Sequence, residues 1–194
     1  MQSPGVEILG DSTQHDFLRK YIIDIVKTFK NDGRILMWDV WNESDNPNAG
    51  SYNSIEIKNK TAIVNKLLPQ VFRWVRGENP AQPVTSGVWT CWFGGWHKDS
   101  TGKRTSTETI QIENSDIISF HMYGGPAGFE NYALQLQSNG RPLICTEYLA
   151  RGNVSTLFAI LPLGKKYNIR YDKLGFCRWQ RANQISLRSL DKTI

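Results

Sequence analysis

Two glutamates follow short apolar runs, at positions where a carboxylate can take part in a reaction. Glu43 follows the run that ends at Trp41, with Asn42 between them, and Glu147 follows the run that ends at Cys145-Thr146. Hydrolysis of a glycosidic bond needs two carboxyl groups, one to protonate the leaving oxygen and one to attack the anomeric carbon or activate water. The alternative is that each glutamate is simply solvated at a strand end. The pair predicts a hydrolytic site if the fold brings the two together.

Aromatic and hydrogen-bonding side chains accompany the same run ends. His121 and Tyr123 end a third apolar run, Asn42 follows the first, and Trp89 and Trp92 follow a fourth. Indole rings offer flat apolar faces to the C–H groups of a sugar, and Asn, His and Tyr offer directional hydrogen bonds to hydroxyl groups. For the two tryptophans, packing within their own loop is an equal alternative. The set favours a carbohydrate ligand.

Helical and strand-like segments alternate around these residues. Apolar residues at helical spacing predict helices over 17–29, 55–75, 129–136 and 154–166. Short apolar runs predict strands over 35–41, 84–88, 117–120 and 142–146. This alternation predicts an α/β fold with right-handed βα units and a parallel sheet. In such sheets the reactive groups lie just beyond the carboxyl ends of the strands, so we expect both glutamates at one edge.

The composition is that of one globular domain. The chain has 194 residues, of which 40% are hydrophobic and 11% aromatic, and this excludes disordered and fibrous proteins. It has no apolar run of about 18 residues, and residues 1–5 do not begin a secretory signal. We therefore expect no membrane partner. The cellular location is left open between extracellular, periplasmic and cytoplasmic.

The net charge of +5 belongs to the end of the chain. Residues 165–194 carry eight basic and two acidic side chains, so they account for more than the whole net charge. A basic tail that binds nucleic acid is one hypothesis, but the segment has neither a recognition-helix pattern nor patterned aromatic residues. We expect no nucleic-acid partner.

The residues that commonly ligate metals are few and widely spaced, namely Cys91, Cys145, Cys177, His15, His97 and His121. They include no CxxC pair, so they predict neither a disulfide framework nor a metal site. We expect no cofactor. Cys145 lies within a predicted strand, which favours a buried and inert thiol.

Three segments resemble the strands of one enzyme family. RILMWDVWNE, residues 34–43, is similar to the fourth barrel strand of clan A glycoside hydrolases, especially family 5, where Asn-Glu closes that strand. IISFHMYGG, residues 117–125, resembles the sixth strand with its His-x-Tyr. RPLICTEYLAR, residues 141–151, resembles the seventh strand, which carries the second glutamate. Their order is the family's order, and the resemblance implies a cellulase- or β-mannanase-type TIM barrel.

The same resemblance implies a role for each site residue. Glu43 is expected to be the general acid/base, and Glu147 the nucleophile of a retaining, double-displacement mechanism. Asn42 is expected near the sugar 2-hydroxyl group. His121 and Tyr123 are expected to orient and polarise either Glu147 or the leaving-group side.

Two physical properties are expected to accompany these roles. In retaining glycosidases the two carboxyl groups lie about 5–5.5 Å apart. The general acid must also hold its proton, so Glu43 needs a raised pKa, and we expect apolar neighbours such as Trp41 to raise it by desolvation.

The resemblance covers about residues 1–169, a partial glycoside hydrolase catalytic domain. A complete (β/α)₈ barrel takes about 250 residues, with about 200 as a lower limit. The first three strands have no counterpart, so we expect a partial TIM barrel of about strands 4 to 7. Relatives carry Asn-Trp-Gly-Phe in an eighth strand, and permitted codons for the segment near Arg170, if read one base later, allow those letters. Residues 170–194 are therefore predicted to be a frameshifted, non-native or disordered tail that disrupts the eighth strand.

Two functions remain open. The first is a retaining β-glycosidase, of the EC 3.2.1 type, acting on β-linked glycans or oligosaccharides. The second is a catalytically inactive fragment or carbohydrate-binding remnant that keeps both glutamates. Either has a carbohydrate as its partner, and the sequence indicates neither the sugar, the linkage nor the oligomeric state.

Overall fold

The computed structural model describes residues 4–47, 53–90 and 104–171. In these ranges the helices are α1 (Val6–Gly10), α2 (His15–Phe29), α3 (Lys60–Gly77), α4 (Ser106–Asn114), α5 (Pro126–Gln137) and α6 (Leu157–Tyr167). The strands are β1 (Trp38–Asp39), β2 (Val84–Thr85), β3 (Ile118–His121), β4 (Leu143–Glu147) and β5 (Arg170–Tyr171).

The strands are parallel and lie side by side in chain order. β1 pairs with β2, with Trp38 opposite Val84, and β3 pairs with β4, which pairs with β5. A parallel bridge between Val88 and Phe120 joins the two groups, since the Val88 N–H donates to the Ser119 carbonyl at 3.0 Å. Sequential parallel strands separated by helices are the arrangement of consecutive units of a (β/α)₈ barrel. The described strands form an open part of one and do not close it.

Neighbouring helices pack on one another outside the strands. α2 contacts α3, α3 contacts α4, and α5 contacts α6. One core forms where the buried side of α3, including Leu67 and Phe72, meets β1 and β2. A second core forms around Phe120, whose ring lies 5.8 Å from that of Phe129 and 5.6 Å from that of Tyr132. Each buried side chain of this size stabilises the fold by about 1.5–3 kcal/mol, so the two cores hold the strand ends in place.

Several boundaries differ from the expected ones. The strand predicted over 35–41 is regular only at β1, and Ile55 is exposed in a short 3₁₀ turn instead of lying on the stripe of α3. The sequence analysis also missed α4, although Thr105 and Glu108 form a capping box at its start. That Thr-x-x-Glu spacing is a signal for a helix start.

The last strand lies at the start of the predicted tail. β5 pairs with Ile144 and Cys145 of β4, and the Tyr171 ring stacks at 6.1 Å from that of Phe129. Residues 172–194 lie outside the described residues, so the frameshift remains a prediction. Among the described helices, none combines the length and the apolar character needed to cross a membrane.

Candidate active site

Glu43 lies in the loop directly after β1, in an unusual backbone conformation. Its φ is 47°, in the left-handed region that a non-glycine residue adopts at a cost of order 1–3 kcal/mol. Two backbone hydrogen bonds hold it there. The Glu43 N–H donates to the Gly87 carbonyl at 3.1 Å, and the Asn46 N–H donates to the Glu43 carbonyl at 3.0 Å. Residues held in such conformations are common at active sites.

Gly87, just beyond β2, is the point on which three polar side chains converge. A Cβ atom at this position would lie 2.4 Å from Asn42 Oδ1, 3.1 Å from Asp39 Oδ2 and 3.3 Å from His121 Nε2. The Gly87 N–H also donates to Asp39 Oδ1 at 3.2 Å. A glycine in a strand often marks such a close approach, and only glycine leaves the space that these side chains occupy.

His121 ends β3 and links the two glutamates. Its side chain is 2% exposed, its Nδ1 lies 2.6 Å from Glu43 Oε1, and its Nε2 lies 3.6 Å from Glu147 Oε1. At 2.6 Å the His121–Glu43 contact is a hydrogen bond, and which partner donates depends on the tautomer of His121. Together the three side chains place one donor atom each within 4.8 Å of one another.

Glu147 ends β4 and accepts hydrogen bonds on both oxygens. The Tyr123 hydroxyl donates to Oε2 at 2.5 Å, and the Asn42 amide Nδ2 donates to Oε1 at 3.4 Å. Burial and the adjacent Glu147 raise the pKa of Tyr123, so this hydroxyl remains a donor. Donors on both oxygens hold the Glu147 carboxylate in one orientation.

The expectation of a raised pKa for Glu43 is wrong. Burial raises the pKa of Glu43, but the hydrogen bond and charge of His121 and the hydrogen bond from Asn46 outweigh it, so the pKa is lowered. Asn46 Nδ2 donates to Glu43 Oε2 at 2.7 Å. Burial of Glu43 alone therefore does not keep its carboxyl group protonated.

The model of the family described as Cellulase (glycosyl hydrolase family 5) matches residues 7–162. The chain belongs to glycosyl hydrolase family 5. The match confirms the predicted family and the α/β fold class of a partial TIM barrel.

Comparison with solved structures finds the intracellular xylanase TsXylA from Thermoanaerobacterium saccharolyticum JW/SL-YS485. Its identity to this chain is 16% and the TM-score is 0.49. The alignment covers 79% of this chain and 53% of the xylanase chain, so this chain spans about half of the xylanase's length. No curated protein matches the chain.

The structure brings together most of the predicted site residues of this family 5 chain. Glu43 is hydrogen-bonded to His121, and Glu147 accepts hydrogen bonds from Asn42 and Tyr123, although the roles of all five remain predictions. His121 contacts both glutamates, whereas Tyr123 contacts Glu147.

The structure describes one of the two tryptophans that the sequence predicts for the site. Trp89 is half-buried, and its Nε1–H donates to Asp45 Oδ1 at 2.8 Å, which ties the end of β2 to the loop that carries Glu43. Trp92 lies outside the described residues. Cys145 is fully buried in β4, as expected.

Asp39 and Asn46 belong to the site, although neither was predicted as a site residue from the sequence. Asp39 accepts a hydrogen bond from the Gly87 N–H and lies among the charges of the site. Its side chain is exposed to the cavity, yet desolvation by the surrounding protein atoms raises its pKa to about 6, against the opposing effect of His121. Asn46 gave no signal beyond its place in the polar loop after Glu43.

The same site opens into a cavity of about 450 Å³ beside β1. Its lining includes Asp39, Asn42, Glu43 and Lys60. Within residues 4–47, 53–90 and 104–171, one group of three His, Cys, Asp or Glu side chains has donor atoms close enough together to hold an ion. It consists of Glu43, His121 and Glu147. Among them, His121 is hydrogen-bonded to Glu43, and Glu147 accepts a hydrogen bond from Tyr123.

Proposed function

We propose that this chain hydrolyses β-linked glycans or oligosaccharides by retaining double displacement, with Glu147 as nucleophile and Glu43 as general acid/base. The observation that carries the proposal is that one oxygen of Glu43 and one oxygen of Glu147 lie within 4.8 Å of each other, with His121 near both. Retaining glycosidases hold their carboxyl groups about 5–5.5 Å apart, and inverting ones about 6.5–9.5 Å apart to leave room for water.

In the first step Glu147 attacks the anomeric carbon of the bound sugar. The glycosidic bond breaks, and its oxygen takes the proton held by the Glu43–His121 pair. The products are a free alcohol and a glycosyl ester on Glu147. Tyr123 and Asn42 hold the attacking carboxylate through both of its oxygens. Such charge-assisted hydrogen bonds fix the orientation that attack requires.

In the second step water replaces the departed alcohol. Glu43 accepts a proton from that water as its oxygen attacks the anomeric carbon, and the ester bond to Glu147 breaks. The sugar leaves with the configuration it started with, and the Glu43–His121 pair again holds one proton. The lowered pKa of Glu43 leaves its carboxylate ionised and able to accept a proton in this step, while its contact with His121 fixes the position of Oε1.

The proposal is tested by measuring hydrolysis of aryl β-glycosides of glucose, mannose, xylose and galactose. We expect Glu147→Gln and Glu43→Gln to lower kcat/KM on the substrate that the wild type cleaves by at least about 100-fold, the usual scale of one acid/base group. Glu113→Gln, at an exposed glutamate, is the matched control and should keep the wild-type rate.

Two further measurements address the mechanism. A 2-deoxy-2-fluoro glycoside should leave a covalent adduct that peptide mass spectrometry locates on Glu147, and proton NMR should show the product anomer with retained configuration. An inverted product would refute the retaining mechanism. Binding of oligosaccharides by a wild type that cleaves none would favour the inactive, carbohydrate-binding alternative.

A further inference from the structure

The loop after β1 holds the Glu43 carboxyl group from the side opposite His121. His121 Nδ1 contacts Oε1, and Asn46 Nδ2 donates to Oε2 at 2.7 Å. Asn46 also donates its backbone N–H to the Glu43 carbonyl at 3.0 Å. One residue thus fixes both the strained backbone of Glu43 and one of its carboxyl oxygens.

Asn46 is itself held by a buried cation. Lys60 Nζ donates to the Asn46 carbonyl oxygen and lies 3.5 Å from Glu56 Oε2. Lys60 is 8% exposed and is the first residue of α3. The positive end of a helix dipole disfavours a cation, and burial disfavours it further. A lysine held at such a position therefore depends on specific contacts, which are the Glu56 carboxylate and the Asn46 carbonyl in the loop of Glu43.

The geometry points to Asn46, anchored by Lys60, as a positioning residue for the acid/base carboxyl group. This inference rests on the proposed role of Glu43. A carboxylate oxygen and the carbonyl oxygen of a carboxylic acid both accept a hydrogen bond, so Nδ2 suits Oε2 in either state. The transferable proton is thereby directed to Oε1, the oxygen that contacts His121. Asn46 keeps the two oxygens distinct while Glu43 alternates between acid and base.

Other charged groups also face Glu43 and must be separated from this effect. Glu147 and Tyr123 lie at the ends of β4 and β3, and Asp39 on β1 and Lys60 on α3 line the same cavity. None of them donates to Oε2 in the described residues. Loss of the Asn46 amide removes a donor to Oε2 while the charges around it stay the same.

The first experiment does not depend on turnover. Carbon-13 NMR of glutamate-labelled protein follows the titration of Glu43, whose signal is assigned by its loss in Glu43→Gln. We expect Asn46→Ala to raise the pKa of Glu43 by about one pH unit, since hydrogen bonds to charged groups are among the stronger ones. Asn46→Asp should raise it further because it places a like charge beside Oε2. Asn131→Ala, at an exposed asparagine of α5, should leave it unchanged.

A double-mutant comparison tests whether Lys60 acts through Asn46. Lys60→Met should raise the pKa of Glu43 in the wild type but not in Asn46→Ala. A direct effect of the ammonium charge would persist in both backgrounds and would refute the anchoring role. Lys66→Met, on the exposed side of the same helix, controls for loss of a positive charge. Circular dichroism on each variant shows that it is folded.

The activity experiment separates positioning from general damage. For Asn46→Ala we expect kcat/KM to fall about 10-fold on a phenyl glycoside, which needs a proton, and less than 2-fold on a dinitrophenyl glycoside, which does not. Equal losses on both substrates, or an unchanged titration of Glu43, would overturn the inference. A wild type inactive on both substrates would refute the proposed function, and the NMR titration would still decide the inference.

Discussion

Replacement of Gly87 by alanine perturbs the site through one added methyl group. Its carbon would lie 2.4 Å from Asn42 Oδ1, whereas non-bonded heavy atoms rest about 3.5 Å apart, so Asn42 must move by about 1 Å. The other end of that amide donates to Glu147 at 3.4 Å. Misplacement of about 1 Å near reacting groups costs on the order of 100-fold in rate. Because Asn42 is exposed and free to move, we expect a stability loss of only about 1 kcal/mol.

The assay pairs kcat/KM on an aryl β-glycoside with thermal unfolding. Gly87→Ala should lose about 100-fold in kcat/KM while the melting temperature falls by only a few degrees. Gly77→Ala is the control, since no atom lies within 4 Å of its added carbon. It should leave both measurements near their wild-type values. A Gly87→Ala enzyme with full activity would show that the convergence of Asn42, Asp39 and His121 on this glycine is not needed for reaction.

Two further predictions concern single contacts. Tyr123→Phe removes the donor to Glu147, and because hydrogen bonds to charged groups contribute about 1.5–3 kcal/mol, kcat/KM should fall about 10- to 100-fold; an unchanged rate would contradict this. Burial raises the pKa of Glu108 from 4.5 to about 7, and its Oε1 has no hydrogen-bond partner among the described residues. A raised pKa gives stability that is present below pH 4.5 and lost as the pH rises through 7. Glu108→Gln keeps the capping box without that loss, so its free energy of unfolding, measured by thermal unfolding, should exceed the wild-type value more at pH 8 than at pH 5, by at most ~3 kcal/mol. An equal difference at both pH values would refute this reasoning.

The positions of the two glutamates could be predicted because parallel strands end at one edge. Glu43, His121 and Glu147 each follow an apolar run, and the order of the runs is the order of the strands. No detailed packing was needed to expect them together. Most helix boundaries could also be predicted from the sequence, because the apolar residues of α2 and α3 recur with the helical period. The strands are shorter than the predicted apolar runs because backbone hydrogen-bond pairing, not hydrophobicity, sets the length of a strand.

The sign of the Glu43 pKa could not be read from the sequence. Neighbouring aromatic residues suggested desolvation, which does act, but the 2.6 Å contact with His121 acts in the opposite direction and prevails. These residues are 78 positions apart, and their contact depends on the bridge that joins β2 to β3. Competing effects on one carboxyl group are decided by distances of a few tenths of an ångström, which spacing along a chain does not specify.

By itself, the sequence determined the family, the alternation of strands and helices, and which carboxylates meet at the strand ends. Three motifs that resemble strands of the family carry the first of these, and apolar periodicity and the end of each strand carry the other two. The tertiary structure alone decided which partner each carboxylate takes: His121 and Asn46 for Glu43, and Tyr123 and Asn42 for Glu147. It also decided that Lys60, 14 residues from Asn46, is buried against the loop. Hydrogen bonds are directional and short, so these pairings exist only once packing has brought the loops within reach of one another.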